Sequence, residues 1–258
     1  MIEELKNKKA FICDMDGVLY HGNRLIDGAL DFIEWLKREN KKYLFLTNSS
    51  ERSPRELKQK LERLGVSVDE SHFYTSAIAT AKFLASQHPG CTVYTIGEAG
   101  LINALYEVGI TMNDVNPDYV VVGDTRSYGF EKIEKAVRLV FNGAKLIGTN
   151  PDVTNPLENG VVPATKALLS PIELTTRKNS YCIGKPNPLM MRHAVKLLGE
   201  HVEDTAIIGD RMDTDIIAGI ESEIDTILVL SGVTTQSGME KFAYRPKYVF
   251  EHVGKIIE

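Results

Sequence analysis

The sequence predicts an α/β protein: a three-layer, doubly wound parallel sheet forms the core, and a smaller α/β domain is inserted into it. The first observation is that short apolar runs alternate with segments of helical periodicity, which is typical of parallel strands joined by helical crossovers. The second is that four apolar runs each end in a polar cluster of different chemistry. These runs and clusters are Phe11–Cys13 before Asp14, Tyr43–Leu46 before Thr47, Tyr181–Ile183 before Gly184, and Ala206–Ile208 before Gly209.

The first 65 residues predict strand, helix, strand and helix. The Phe11 run is followed by Ala29, Phe32, Ile33 and Leu36 at helical spacing, and then by the strand at Tyr43. The segment from Ser53 to Glu56 is typical of a capping box with proline at the first helical position. A leucine stripe (Leu57, Leu61 and Leu64) continues this second helix, and Gly65 predicts its end.

A second alternating series predicts the inserted domain. Strands are expected at 92–96, 119–122 and 145–148, with helices at 101–108 and 130–141. None of these strands ends in the acidic pair or the lysine of the four clusters. We therefore expect an inserted α/β domain at 79–179 and a discontinuous core at 1–78 and 180–258, with the polar stretch 175–180 as the return linker.

The first pattern resumes at Tyr181. This run is expected to be a core strand, followed by a helix near 187–199 and the strand beginning at Ala206. A helix near 214–221 and strands at 226–230 and 248–250 complete the predicted core.

Composition and charge exclude several classes of protein. The chain has 258 residues, a formal net charge of −5 and three scattered cysteines. The negative charge argues against nucleic acid as a partner, and sparse cysteines are typical of a reducing compartment. The charged segment 1–6 and the lack of a long apolar stretch indicate neither a signal peptide nor a membrane span. We expect a cytoplasmic protein whose partner is a small phosphorylated metabolite; a homo-oligomer is left open.

Asp14 and Asp16 form the first cluster. Residues two apart on an extended strand project to the same side, and each of two neighbouring carboxylates raises the other's pKa. One carboxylate can then attack while the other carries a proton. A divalent cation would relieve their repulsion, and Mg²⁺ prefers oxygen ligands. The alternative is a solvated turn.

The second and third clusters offer contacts for an anion. Thr47 and Asn48 supply a hydroxyl and a backbone N–H after a strand, which favours an anion cradle, although an ordinary turn or helix cap has the same residues. Lys185 lies between Gly184 and Pro186. We expect this rigid turn to hold its ammonium against a phosphate; the alternative is a surface lysine.

Asp210 and Asp215 belong to the fourth cluster. Asp210 ends its strand as Asp14 does, so we expect it to complete a metal site. Asp215 begins the next helix, where it can bond the lysine or a metal-bound water, although acidic residues also favour helix N-termini in general. Ligands of open α/β sheets bind outside the carboxyl ends of the strands, where all four clusters are expected to lie.

These residues resemble a known family. The motifs Asp-x-Asp-Gly, Thr-Asn, Gly-Lys-Pro and Gly-Asp-x-x-x-x-Asp, in this order, look like those of the haloacid dehalogenase-like phosphatases. Longer matches, among them Asp-Met-Asp-Gly-Val-Leu-Tyr and Thr-Asn-Pro-Asp at 149–152, resemble the NagD-type nucleotidase and p-nitrophenyl phosphatase subfamily. The chain departs from the family pattern after Pro163, with Ala164-Thr165-Lys166 and then Pro171 in a segment of helical periodicity.

The resemblance implies a mechanism and the residues that perform it. Asp14 attacks phosphorus to give an aspartyl-phosphate, and Asp16 acts as the general acid and base. Mg²⁺ is held by Asp14, the backbone carbonyl of Asp16 and Asp210. Thr47, Asn48 and Lys185, together with Asp16, bind the phosphoryl group, and Asp215 bonds the lysine.

The resemblance favours nucleoside monophosphates such as UMP and GMP, and p-nitrophenyl phosphate, as substrates. Sugar phosphates and a phosphotransferase or mutase activity are alternatives, and a phospho-accepting receiver or binding module is the non-enzyme alternative. A dehalogenase is disfavoured by Asp16 and a pump-type ATPase by the missing membrane spans. Candidates for substrate contact in the insert are Arg126, Tyr128, Asp152 and Lys166, each equally consistent with a surface role.

Overall fold

The computed structural model describes residues 2–157 and 160–258. Met1, in the predicted core segment, and Glu158 and Asn159, in the predicted insert, lie outside the described residues. The strands are, in chain order, β1 Ala10–Cys13, β2 Tyr20–His21, β3 Arg24–Leu25, β4 Lys42–Thr47, β5 Phe73–Thr75, β6 Thr92–Ile96, β7 Thr111–Met112, β8 Tyr119–Val122, β9 Lys145–Gly148, β10 Thr154–Leu157, β11 Gly160–Pro163, β12 Tyr181–Cys182, β13 Thr205–Gly209, β14 Asp225–Val229 and β15 Tyr248–Phe250.

Helices follow most of the strands, as expected for parallel crossovers. The α-helices are α1 Ile2–Lys6, α2 Ala29–Arg38, α3 Pro54–Arg63, α4 Ser76–Gln87, α5 Ala99–Glu107, α6 Phe130–Phe141, α7 Thr165–Thr176, α8 Pro188–Leu198, α9 Ile217–Glu221 and α10 Gln236–Met239. Short 3₁₀ helices lie at Glu70–His72, Val202–Asp204 and Val253–Ile256, and a π-helical turn spans Met212–Ile216. Among the described residues, no helix combines the length and the apolar composition needed to cross a bilayer.

The larger sheet has the strand order β15-β14-β13-β1-β4-β5. The strands from β15 to β4 run parallel, and β1 pairs with β13 on one side and β4 on the other. All four residues of β1 are buried, which explains its unbroken apolar sequence. The prediction of a doubly wound parallel core is confirmed, because β1, β4 and β13 are neighbours.

A second parallel sheet has the order β12-β9-β8-β6-β7. Helices α6 and α7 pack on it through a core that includes Val120, Leu139 and Leu169. The strands predicted at 119–122 and 145–148 and the helix predicted at 130–141 have the bounds that the structure shows. A small antiparallel hairpin, β10–β11, follows β9.

The chain forms two compact units. Unit 1 comprises Met1–Thr47, Lys58–Tyr74 and Lys185–Glu258, and unit 2 comprises Asn48–Leu57 and Thr75–Gly184. Unit 1 contains the six-stranded sheet apart from Thr75 at the end of β5, and unit 2 contains the five-stranded one. The domain boundaries at 78/79 and 179/180 stay a prediction.

The strand expected at Tyr181 is the main error of the sequence prediction. It is a two-residue strand that pairs with β9 of the second sheet, with Tyr181 opposite Ile147. It is therefore not a neighbour of β1, β4 or β13. A short apolar run can extend either sheet, and its partner is set by long-range pairing that the local sequence does not encode.

Other segments also differ from the prediction. The helix expected near 214–221 begins as the π-helical turn and continues as α9. Strand β5 and helix α4 were not predicted, because the alanine-rich sequence of α4 lacks a clear apolar stripe. Pro171 lies within α7 and does not end it.

Candidate active site

Asp14 lies at the carboxyl end of the central strand of unit 1. Its backbone N–H donates to Ile208 O of β13 (2.8 Å), so it continues the parallel ladder one residue beyond Cys13. The side chain is 13% exposed. The backbone of Asp14 therefore directly follows a buried strand that is itself paired with β13 on one side and β4 on the other.

Lys185 is the cation of the site. Its side chain is 2% exposed, and its ammonium donates to Asp14 Oδ1 (2.7 Å) and Asp215 Oδ1 (2.6 Å). Burial alone lowers the pKa of Lys185, but the two carboxylates outweigh it and hold the pKa above its ordinary value. The lysine therefore stays charged between two acids, although the strand before it belongs to the other sheet.

Asp210 and Asp215 lie beyond the end of β13. Asp215 is fully buried in the π-helical turn and accepts from the N–H of Arg211 (3.1 Å) as well as from Lys185. Asp210 accepts from the N–H of Val233 (2.6 Å). Carboxylate oxygens of Asp14, Asp210 and Asp215 lie within 4.8 Å of one another. Wide helical turns of this kind recur at functional sites.

Two glycines make room for Asp210. A Cβ on Gly232 would lie 2.0 Å from Asp210 Oδ2, and one on Gly17 would lie 2.5 Å from it. Gly17 also has a φ of +80°, which favours glycine. The carboxylate of Asp210 is thus packed against backbone on two sides.

This donor set fits a divalent metal ion. Three carboxylates and one ammonium leave two negative charges in excess when all are ionised. Burial raises the pKa of Asp14 to about 7, with Lys185 lowering it and Asp215 raising it. Burial also raises the pKa of Asp210 well above its ordinary value, and Asp14 and Asp215 add to the effect. A hard cation would favour the ionised form of each, and carboxylate oxygens are its usual ligands.

Asp16 is placed differently from the other predicted acids. Its side chain is 52% exposed, and Oδ1 lies 3.7 Å from Nδ1 of His21. Its carboxylate is not among the three that cluster. A half-exposed acid after the strand end can exchange protons with solvent, whereas the buried ones cannot do so readily. Its assigned roles stay predictions.

Thr47 and Asn48 follow one another at the end of β4. Thr47 is the last residue of that strand, which pairs with β1. Asn48 begins unit 2, where its amide donates to Asp152 Oδ2 (2.9 Å) and its carbonyl accepts from Asn150 Nδ2 (2.8 Å) and Ser76 Oγ (2.5 Å). The backbone and side chain of Asn48 are therefore held by residues of unit 2.

Sequence reasoning missed a buried polar network in unit 2. Asp124 accepts from the N–H (3.0 Å) and hydroxyl (2.8 Å) of Thr165, and from Ser50 and the Asn150 amide at 3.3–3.4 Å. Asp124 is the last residue of Val-Val-Val-Gly-Asp, which begins in β8, just as Asp210 is the last residue of Ile-Ile-Gly-Asp, which begins in β13. This repeated strand-Gly-Asp pattern was the signal that would have identified it.

Three of the four candidates for substrate contact in the insert bond to other residues of unit 2. Asp152 is buried and bonded to Asn48, and Lys166 pairs with Glu173 at 2.7 Å. The Tyr128 hydroxyl donates to the carbonyl of Leu168, and Arg126 is exposed. These contacts give each of the first three a role within unit 2.

The chain matches two models of one protein family. A haloacid dehalogenase-like hydrolase model matches residues 11–111, and a HAD-hydrolase-like model matches residues 182–256. The two segments contain Asp14, Asp16, Thr47, Lys185, Asp210 and Asp215.

Curated relatives cover nearly the whole chain. The acid sugar phosphatase of Staphylococcus saprophyticus is 42% identical and the ribonucleotide monophosphatase NagD of Escherichia coli 41%; these matches cover 98% and 96% of this chain and 98% of each relative. The chain belongs to the NagD-type phosphatases of the haloacid dehalogenase-like family. The dihydroxyacetone phosphatase of Corynebacterium glutamicum is also 41% identical, over 96% of this chain and 90% of that protein.

Solved structures agree with this assignment. NagD of Escherichia coli K-12 superposes with a TM-score of 0.91 at 40% identity, covering 96% of this chain and 98% of that one. The 4-nitrophenylphosphatase of Thermotoga maritima gives 0.94 at 33% identity, covering 98% and 97%. The predicted family, the core fold with a cap domain and the assignment as a phosphatase are confirmed.

Proposed function

We propose that the chain is a Mg²⁺-dependent phosphomonoesterase that transfers the substrate's phosphoryl group first to Asp14 and then to water. The observation that supports this most directly is the cluster of Asp14, Asp210 and Asp215 with the buried ammonium of Lys185. It gathers an attacking oxygen, metal-ligating oxygens and a fixed positive charge where open α/β sheets bind their ligands. The phosphatase relatives support the same reaction class.

In the first step, a carboxylate oxygen of Asp14 attacks phosphorus as the bond to the leaving alcohol breaks. Asp16 gives its proton to the departing oxygen, which leaves as a neutral alcohol. Lys185, bonded to Asp14 Oδ1, keeps positive charge beside the attacking group. The products are an aspartyl-phosphate on Asp14, an ionised Asp16 and the free alcohol.

In the second step, Asp16 removes a proton from water, and the water oxygen attacks phosphorus. The bond between phosphorus and Asp14 breaks, which restores the Asp14 carboxylate and releases inorganic phosphate. Thr47, the Asn48 N–H and Lys185 bind the phosphoryl oxygens in both steps. Asp14, Asp210 and the carbonyl of Asp16 would hold Mg²⁺, which would offset the negative charge that accumulates as carboxylate and phosphate meet.

We propose nucleoside monophosphates, with p-nitrophenyl phosphate as a model substrate, as the first substrate class. The relative named ribonucleotide monophosphatase supports this. Small sugar phosphates are the second candidate, because relatives that are 42% and 41% identical are named acid sugar phosphatase and dihydroxyacetone phosphatase. With a net charge of −5, we propose a small phosphorylated metabolite rather than nucleic acid as the partner, in the cytoplasm.

The test is a panel of UMP, GMP, glucose 6-phosphate, dihydroxyacetone phosphate and p-nitrophenyl phosphate, assayed with Mg²⁺ and with EDTA. We expect phosphate release with Mg²⁺, loss of it in EDTA, and loss of at least about 10³-fold in Asp14→Asn. Asp114→Asn, an exposed acid of unit 2, is the matched control and should behave as wild type.

Several outcomes would contradict the proposal. Turnover of Asp14→Asn near the wild-type rate would exclude Asp14 as the nucleophile. Phosphate release that requires an added alcohol acceptor would indicate a phosphotransferase or mutase instead. A stable phosphorylated protein that does not turn over would indicate a receiver.

A further inference from the structure

The predicted acid and base, Asp16, is followed by a small hairpin of unit 1. Strands β2 and β3 pair antiparallel, with Tyr20 opposite Leu25. Asp16 forms a β-bridge with Tyr20, and the N–H of Gly17 donates to Tyr20 O (2.9 Å). The orientation of the half-exposed Asp16 carboxylate therefore depends on where the backbone of Tyr20 lies.

The ring of Tyr20 is in contact with a buried lysine. Tyr20 is 4% exposed, and Lys60 of α3 is 8% exposed. The Lys60 ammonium lies 3.5 Å from the centroid of the Tyr20 ring. An ammonium over an aromatic face at this distance is a cation–π contact, and such contacts strengthen when water is excluded.

The position of Lys60 is unusual for a lysine. Lysine is rarely buried to this extent, because burial removes its ammonium from water. Leu57 and Leu61 also bury their side chains on α3, and the solvent-facing positions of that helix carry exposed charged residues. An apolar side chain would suit this buried position for packing alone, so the charge calls for a role beyond packing.

We propose that Lys60 is a positioning residue for Asp16 and acts through Tyr20; this rests on the function proposed above. The ammonium fixes the Tyr20 ring, the ring fixes the start of the hairpin, and the hairpin backbone fixes the peptide that carries Asp16. Lys60 itself takes no part in proton transfer.

The chemistry of the leaving group separates this role from a general structural one. An alkoxide is a poor leaving group and needs the proton of Asp16, whereas p-nitrophenolate is a stable anion and leaves without it. A misplaced Asp16 therefore slows the cleavage of alkyl phosphates much more than that of p-nitrophenyl phosphate. A loosened fold or a damaged phosphate site slows both alike.

The experiment measures leaving-group release in single turnovers, with enzyme in excess, so that hydrolysis of the phosphorylated enzyme does not contribute. The variants are Lys60→Met, Lys60→Arg, which keeps a cation for the ring, and Lys58→Met, a half-buried lysine of the same helix as the matched control. The substrates are p-nitrophenyl phosphate and the alkyl phosphate that wild type hydrolyses fastest.

We expect Lys60→Met to slow leaving-group release from the alkyl phosphate at least about 30-fold, and release from p-nitrophenyl phosphate less than about threefold. Lys60→Arg should recover most of the alkyl rate, and Lys58→Met should match wild type. If Lys60→Met does not fold, Tyr20→Leu removes the ring from the same contact and should give the same ratio.

An unchanged ratio of the two rates in the folded variant, whether both fall or neither does, would overturn the role of Lys60. Failure of the proposed function would be visible independently, as absent turnover in wild type or retained turnover in Asp14→Asn.

Discussion

Each compact unit buries a polar cluster at the carboxyl ends of its central strands, but the two clusters balance charge differently. In unit 1, Asp14, Asp210 and Asp215 share one ammonium, that of Lys185. In unit 2, Asp124 is surrounded by hydroxyl, amide and peptide N–H donors. Asp210 in unit 1 and Asp124 in unit 2 each follow a buried apolar strand as part of a Gly-Asp pair, so this pattern alone does not distinguish them.

The difference supports the proposal that the metal ion binds to the unit 1 cluster rather than to the unit 2 cluster. The unit 2 network satisfies its carboxylate from within the protein, so it stabilises the fold. The unit 1 cluster has more carboxylates than the protein neutralises, and the pKa values of Asp14 and Asp210 are raised as a result of burial and mutual repulsion. A cation would supply the positive charge that this buried cluster lacks, and strongly perturbed acids are typical of functional sites.

The largest expected effect on stability is that of Lys185→Met. Removing the ammonium leaves the carboxylates of Asp14 and Asp215 without the positive charge that Lys185 supplies. We therefore expect the free energy of unfolding, measured in urea, to fall by about 3–5 kcal/mol. Phosphatase activity should fall about 10²- to 10³-fold, because the charge beside the phosphoryl group is lost. The exposed Lys241→Met is the matched control. Activity within threefold of wild type in the folded variant would show that the Lys185 ammonium does not act on the phosphoryl group.

Metal binding should discriminate between the two clusters. With Mg²⁺ at about 100 times its dissociation constant, binding stabilises the folded state by about 2.7 kcal/mol, so we expect the midpoint of thermal unfolding to rise by about 5–10 °C in wild type. Asp210→Asn should abolish the rise, whereas Asp124→Asn should keep it, as measured by scanning fluorimetry against EDTA. Equal shifts in both variants would contradict the assignment of the metal to unit 1.

Asp124→Asn should reduce stability without affecting the chemistry of unit 1. The new amide NH₂ would face the hydroxyl and N–H of Thr165, which now donate to the carboxylate. We expect a loss of about 1–3 kcal/mol in the free energy of unfolding. The exposed Asp114→Asn should stay within about 0.5 kcal/mol of wild type. A stability equal to wild type for Asp124→Asn would show that the network is not structural.

The sequence predicted those parts of the fold that depend on local pattern. Strands β1, β4 and β13 were recognised because each is a buried apolar run that ends in polar residues, and the capping box at Ser53 marked the start of α3. Asp14 and Asp210 were expected to meet because parallel strands share one carboxyl edge, and they do. Lys185 was expected there for the same reason and does reach Asp14, but the strand before it belongs to the other sheet.

What the sequence did not predict depends on contacts between distant residues. Tyr181 pairs with β9 rather than with a strand of the core sheet, and nothing in a two-residue strand specifies its partner. The network of Asp124 is formed with Ser50, 74 residues away in sequence, and with Thr165, 41 residues away. Because these donors lie so far away in sequence, the local pattern does not predict whether the aspartate of a Gly-Asp pair is fully hydrogen-bonded within the protein or is able to bind a ligand.

The smallest expected effect on stability concerns Glu56, an exposed carboxylate that contrasts with the buried carboxylates of the two clusters. Glu56 accepts from the N–H and hydroxyl of Ser53 (2.8 Å each), and these bonds hold the pKa of Glu56 below its ordinary value. A carboxylate whose pKa is lowered on folding stabilises the fold at pH values above its unfolded-state pKa. This contribution is lost as the pH falls through its folded-state pKa. Ser53→Ala should therefore cost about 1 kcal/mol at neutral pH. In urea unfolding at a series of pH values, the cost should shrink once Glu56 is protonated, whereas a cost independent of pH would show that the helix cap acts without the Glu56 charge.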